Sequence, residues 1–115
     1  MTHNEYDILI AKLENRSKST LREKRNQYSS FDDPLYNFEV GSGIMGLPKA
    51  YVCWGYMTKH LAALRNMIDC NNFNDLDDVL EKCQDVINYI KILWVIANEE
   101  HDNNHCNVMD AKESN

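Results

Sequence analysis

Glycine and proline are scarce in this 115-residue chain, which holds four and two of them. Their scarcity excludes collagen-like and Pro-rich linker architectures and most β-sandwiches, which need both residues at their many turns. No apolar run approaches the roughly 20 residues needed to span a bilayer, so no membrane partner is expected. The stretch MTHNEYDILIAKLENRSK is charged throughout and lacks the apolar core of a signal peptide. A cytoplasmic chain is therefore expected (the host-cell cytoplasm, if it is viral). The four cysteines form no CxxC pair and match no zinc spacing; three of them lie in apolar helical patterns, as buried reduced thiols would. No GxxxxGK[ST], GxGxxG or GxSxG motif occurs, and Gly41-Ser42-Gly43 reads as a turn rather than a phosphate loop.

What is present is charge, unevenly placed. The formal net charge is −6. Residues 1–31 are net basic, residues 32–74 are nearly balanced, and residues 75–115 carry most of the negative charge. The one candidate basic stripe, Arg16, Lys18, Arg22, Lys24 and Arg25, is diluted by Glu14 and Glu23, so general nucleic-acid binding is not expected. The acidic C-terminal third reads as a solvated face, or as a dock for a basic partner.

Apolar residues recur at helical spacing over most of the chain, and the expected fold is all-α, a three- to four-helix bundle. Residues 4–28 carry the stripe Tyr6, Leu9, Ile10, Leu13, Ser17 and Leu21. Residues 29–48 hold both prolines and three glycines, which predicts a loop and then a short helix with Pro34 in its first turn, capped by Asp32 or Asp33. A third helix is predicted over 48–70 and a break at NNFND. The last helix is predicted over 76–100, with Asp75 as N-cap and Asp77 and Asp78 at the positive end of its dipole. Residues 86–97 are apolar nearly all round, so this helix should be buried on more than one side. So short a chain has too few helices to cover it, which predicts a homo-oligomer joined through the C-terminal helix. Residues 1–100 then form the single domain, and the polar residues 101–115 a disordered tail. His101, His105 and Cys106 in that tail have a spacing that would clamp a soft metal if helical, but a solvated, partly disordered terminus is the preferred account of them.

Polar residues inside apolar stretches are the candidate functional groups. Glu81 and Asp85 are one turn apart, and Asn88 continues their row just as the helix becomes apolar. Two carboxylates entering a core are costly unless paired or metal-bound, which fits Mg²⁺ with its hard oxygen ligands; an acidic edge paired to Lys82 is the plain alternative. Lys59 and His60 interrupt the apolar segment YVCWGYMTKHLAALRNMI, where they would meet a phosphate and a ligand hydrogen bond, or simply snorkel and be satisfied in the core. The segment from Lys24 to Phe38 is dense in aromatics and amides, suited to stacking on a base and reading its edge, or to plugging a small helical core.

The strings EKRNQYSSFDDPLYNF, LPKAYVCWGYMTKHLAALRNMI and LEKCQDVINYIKILWVIANEE, covering roughly residues 20–100, resemble small phage-type proteins related to the nucleotide modification associated domain. More loosely, they resemble the MazG-like all-α nucleoside triphosphate pyrophosphohydrolases, which hold Mg²⁺ with carboxylates from two facing helices. The resemblance implies Glu81 and Asp85 as Mg²⁺ ligands and Lys24, Asn26, Tyr28, Asn37 and Lys59 as nucleotide contacts, beside His60 and Asn88. Two departures stand out. Gln27 replaces the family's Asp before the tyrosine, and the upstream ExxE carboxylates are missing, since the third helix has no acid before Asp69. A two-metal site would be short of ligands, which favours binding over catalysis. The resulting expectation is an oligomeric nucleotide-binding protein of phage type, with a degenerate Mg²⁺-dependent phosphohydrolase activity if it is catalytic. The alternative is a small acidic viral inhibitor that sequesters a host defence system's nucleotide signal or binds a defence effector such as a CRISPR protein.

Overall fold

The computed structural model describes the backbone of residues 1–28 and 33–113, and the side chains of residues 1–26 and 33–104. Four α-helices follow one another: α1 (His3–Tyr28), α2 (Tyr36–Met45), α3 (Lys49–Asp69) and α4 (Leu76–Glu113). No strand occurs among the described residues. None of the helices is long and apolar enough to cross a membrane.

Local chemistry sets most of the boundaries. At the start of α1, Glu5 N–H donates to Thr2 Oγ1 and Thr2 N–H donates to Glu5 Oε2, a reciprocal box that satisfies two amides the helix itself leaves without partners. Asp75 caps α4 as expected, its Oδ1 accepting the N–H of Asp77 at 3.1 Å and of Asp78 at 3.2 Å. α2 ends on Gly46, whose φ of +67° places it in the left-handed region that glycine enters without steric cost. Past α3, Asn71 takes φ 49° and the Asn72 N–H returns to the Met67 carbonyl.

Two boundaries differ from the sequence reading. Pro34 lies ahead of α2 rather than in its first turn. Asp33 folds the entry instead, its Oδ1 accepting the Leu35 N–H at 2.9 Å, while Leu35 occupies the N-cap with no side-chain cap bond. The role given to Asp32, like the stacking role given to Phe31, lies outside the described residues. α4 also does not stop near residue 100 but continues to Glu113. No Gly or Pro follows Gly55, so nothing in the sequence forces the helix to end, and propagation costs less than termination. The side chains of His105 and Cys106 lie outside those described, as does that of Tyr28.

The apolar core is small and lies where α2, α3 and the middle of α4 meet. Leu35, Phe38, Val52, Cys53 and Ile96 form it, ringed by Ala50, Tyr56, Tyr89, Ile92 and Leu93. α2 approaches α3 closely at Gly41, where a Cβ would stand 2.8 Å from Val52 Cγ1. The Cys53 thiol donates to the Tyr89 carbonyl at 3.3 Å, and burial pushes its pKa up to about 11, so it stays protonated and packs as a small apolar group. Lys49 ties three helices together, pairing with Glu39 of α2 at 3.4 Å and with Glu99 of α4. Burial opposes its charge, but the two carboxylates outweigh burial and hold its pKa above the usual lysine value.

No described side chain of α1 belongs to this core, and α1 packs chiefly on α4. Among the described side chains of α1, Ser17 alone is fully buried. Much apolar surface is left open in the single chain: Tyr6, Leu9 and Ile10 on α1, Tyr51 and Trp54 on α3, and Ile90 and Trp94 on α4 are all exposed. The nearly all-apolar stretch of α4 is thus covered on one side only, with Ile96 inside and Trp94 70% exposed.

Ile96→Ala is expected to cost about 2–5 kcal/mol of unfolding free energy. Leu76→Ala, at a site 73% exposed, should stay within about 0.5 kcal/mol. Urea unfolding of both variants checks this contrast.

Candidate functional site

The seam between α1 and α4 is polar. Lys91 Nζ donates to Ser17 Oγ at 3.0 Å, and Ser17 Oγ donates to Asn88 Oδ1 at 2.7 Å. One level away, Thr20 Oγ1 donates to Gln84 Oε1 at 3.2 Å. The direction of the first chain follows from its members. An ammonium has no lone pair and can only donate, so the single serine proton must go on to Asn88. The Asn88 amide is thereby oriented, with its oxygen toward α1 and its NH₂ turned away. That nitrogen, on a residue 4% exposed, is the only buried side-chain donor or acceptor among the described residues without a partner. Leaving a buried donor unpaired costs about 1–3 kcal/mol.

Asp85, one turn before Asn88 and also buried, sits between two groups. Its Oδ1 is 3.6 Å from Lys24 Nζ, and its Oδ2 is 3.5 Å from His60 Nδ1. His60 stacks on Tyr89, with ring centroids 5.5 Å apart and planes 26° apart. Tyr89 faces Tyr56 at 6.2 Å, and Tyr56 faces Phe38 at 5.8 Å, both tilted. A row of rings therefore runs from α4 across α3 to α2.

These groups border a cavity of about 780 Å³ between α1, α2 and α4. Its walls combine the rings of Phe38, Tyr56 and Tyr89 and the side chains of Leu35, Ile92 and Val95 with polar groups from Asn37 and Asn88. Five cationic residues line it, Lys18, Arg22, Lys24 and Arg25 from α1 and Lys91 from α4, against one carboxylate, Asp85. Five of the chain's twelve basic residues thus gather at one cavity of a protein whose net charge is −6. Neither Lys18 nor Arg22 has an ion-pair partner among the described residues. Like charges three or four residues apart on a helix destabilise it by about 0.2–0.5 kcal/mol per pair, so this arrangement carries a standing repulsion that a bound anion would relieve.

Of the residues singled out from the sequence, Lys24, Asn37 and Asn88 line the cavity, and His60 stands behind it through Asp85 and Tyr89. Asn26 and Lys59 are exposed and do not line it. The two carboxylates proposed for Mg²⁺ are not equivalent: Glu81 is exposed, while Asp85 is buried and faces Lys24 and His60. Among the described residues, no group of three His, Cys, Asp or Glu side chains is placed to hold a metal ion. The sequence reading passed over Lys91, although its signal was there: it is the only charge between Asp85 and Glu99, in the run VINYIKILWVIAN. It also missed that Lys18, Arg22 and Arg25 share a face with the candidate residues of α4.

His60 gives the site a pH dependence. Burial lowers its pKa below the usual 6.5, Asp85 opposes this, and Lys24, Lys82 and Lys59 push it further down. The folded protein therefore binds this proton less tightly than the unfolded chain does. The stabilising contribution is full above about 6.5 and is lost as pH falls through the lower folded value. The melting temperature is expected to drop between pH 7.5 and 5.5, and less steeply in His60→Gln; thermal melts across that range test it.

No family model matches the chain, and no curated protein or solved structure matches it either.

Proposed function

We propose that this chain binds a nucleotide or nucleotide-derived anion in the cavity between α1, α2 and α4. The observation that carries the reading is the concentration of five cations and an unpartnered buried amide donor around a cavity faced with aromatic rings. Each part meets a different portion of such a ligand. Lys18, Arg22 and Arg25 meet phosphate, with the planar guanidinium groups suited to two-point contacts and the lysine acting as a point charge. The rings of Tyr56, Phe38 and Tyr89 meet the flat face of a base, and the Asn37 and Asn88 amides meet its edge. Fixed cations at the mouth of an otherwise acidic protein also draw anions toward this one opening.

Binding is favoured over hydrolysis. Asp85 is the only carboxylate lining the cavity among the described residues, and Lys24 and His60 already face it. In-line attack on a phosphoanhydride between two metal ions needs more ligands than one carboxylate supplies. Where Mg²⁺ takes part, it would arrive on the ligand's phosphates, a mode this ion commonly uses.

The same chain is inferred to act as a homo-oligomer. Ile90 and Trp94 on α4 and Tyr6, Leu9 and Ile10 on α1 leave two apolar stripes open, an arrangement that single soluble chains rarely tolerate. Light scattering coupled to gel filtration should give a multiple of the 13.4 kDa chain mass, falling toward the monomer in Trp94→Glu.

A thermal-shift and calorimetric screen of phosphorylated nucleotides, with and without Mg²⁺, tests the ligand reading. A binding nucleotide at a hundredfold excess over its Kd should add about 2.7 kcal/mol of stability, the matching nucleoside little, and Arg22→Glu should abolish the gain. A panel in which no phosphorylated compound stabilises the protein would overturn it.

A further inference from the structure

We infer that the ligand is a short oligonucleotide of two or three phosphodiester-linked units, linear or cyclic, rather than one nucleotide bearing a polyphosphate. This rests on the nucleotide reading of the cavity and narrows it. The first support is the arrangement of the cations. Lys18, Arg22 and Arg25 stand at i, i+4 and i+7 on α1 and all line the cavity, so they form one stripe along the helix. At about 1.5 Å of rise per residue, their attachment points span roughly 10 Å. Lys24 and Lys91 lie off this stripe, Lys24 on another side of α1 against Asp85 and Lys91 on α4 against Ser17.

The two ligand types distribute charge differently. Neighbouring phosphorus atoms of a triphosphate share one bridging oxygen, so its charge is compact and is best met by donors converging on a point, as in a Gly-rich loop at a helix N-terminus. The sequence contains no such loop. Neighbouring phosphates of a strand are separated by a whole sugar, so their charge is strung out and is met by cations strung out along an element. The α1 stripe is of the second kind.

The opposite side of the cavity supplies the matching stacking surface. The rings of Phe38, Tyr56 and Tyr89 lie in sequence at 5.8 and 6.2 Å, a row longer than one base would use. Asn37 on α2 and Asn88 on α4 offer amides on two different walls, so two base edges can be met at once. The volume of about 780 Å³ lies in the upper part of the roughly 300–1,000 Å³ range of ligand pockets. The short span of the stripe, in turn, limits the ligand to a few units rather than a long strand.

The test is a calorimetric titration of the full chain with AMP, ATP, inorganic triphosphate, linear di-, tri- and decanucleotides of each base, and a cyclic dinucleotide. The expected result is that a di- or trinucleotide or the cyclic compound binds at least about tenfold more tightly than ATP, with no further gain for the decanucleotide. The logarithm of the binding constant should fall with the logarithm of salt concentration at a slope of about −0.7 per phosphate contacted, near −2 for three. Arg22→Ala and Lys18→Ala, both at exposed positions, should each make that slope shallower by about 0.7 without lowering the melting temperature of the free protein. ATP or inorganic triphosphate binding as tightly as the oligonucleotides would overturn the inference while leaving the nucleotide site standing, and so would affinity that keeps rising to the decanucleotide. Absence of binding by every phosphorylated compound would remove the site itself.

Discussion

The proton chain from Lys91 through Ser17 to Asn88 is the interaction on which the arrangement of this protein depends. Among its described residues, α1 contributes nothing to the apolar cluster of Leu35, Phe38, Val52, Cys53 and Ile96. Its attachment to α4 runs instead through Ser17, Thr20 and Lys24 against Asn88, Gln84 and Asp85. Ser17 is small enough for the two helices to meet at that point and polar enough to relay one proton. A polar seam of this kind is demanding, because Ser17, Gln84, Asp85 and Asn88 are buried enough that losing a partner would strand them. It is also directional in a way an apolar seam is not. Fixing the serine proton fixes the Asn88 amide, and so determines that an N–H donor, rather than a carbonyl oxygen, is left over at the cavity.

Charge placement points to the same cavity from an independent direction. A chain of net charge −6 with twelve basic residues has many places to scatter them, yet five border one opening. Nothing in the fold requires this. Of the α4 carboxylates that pair with cations, Asp85 faces Lys24 at the cavity, and the others do so elsewhere, with Asp77 near Arg16, Asp78 near Lys82 and Glu99 on Lys49. Lys18 and Arg22 receive no such partner, so the helix bears their mutual repulsion in the absence of a ligand. Repulsion retained without structural return is the feature that supports the anion reading of this cavity.

Much of this was legible in the sequence, and the limits of legibility have a common cause. Helical periodicity gave the four helices and most of their ends. Asp75 could be read as a cap because its chemistry is local, and Asp85, Asn88 and Lys24 stood out because polar side chains in apolar runs demand partners. What periodicity cannot give is which faces of different helices meet. Lys59 shares a helix face with Tyr56, yet only Tyr56 reaches the cavity. Glu81 shares a row with Asp85, yet the row leaves the protein between them, so one is exposed and the other buried. Lys18, Arg22 and Arg25 read as part of a basic stripe diluted by Glu14 and Glu23 until α1 is laid across α4. The extension of α4 past residue 100 is a separate case: the tail is polar and carries no apolar stripe, yet no residue there breaks a helix.

The division of labour between α1 and the core has a consequence for how the site would work. Four of the five cations belong to the helix that the core does not hold, and the fifth, Lys91, belongs to the helix it rests on. Without a ligand, the like charges of α1 and Lys91 push the two walls apart while the Ser17–Asn88 bond and the Lys24–Asp85 pair draw them together. An anion bound between them reverses the first term and reinforces the second, so occupancy and docking of α1 favour each other thermodynamically. A rigid apolar clamp would hold the walls equally well empty or full. A polar clamp that brings five cations together is weakest when empty, and under the proposed reading that difference would let the free energy of anion binding add to the docking of α1.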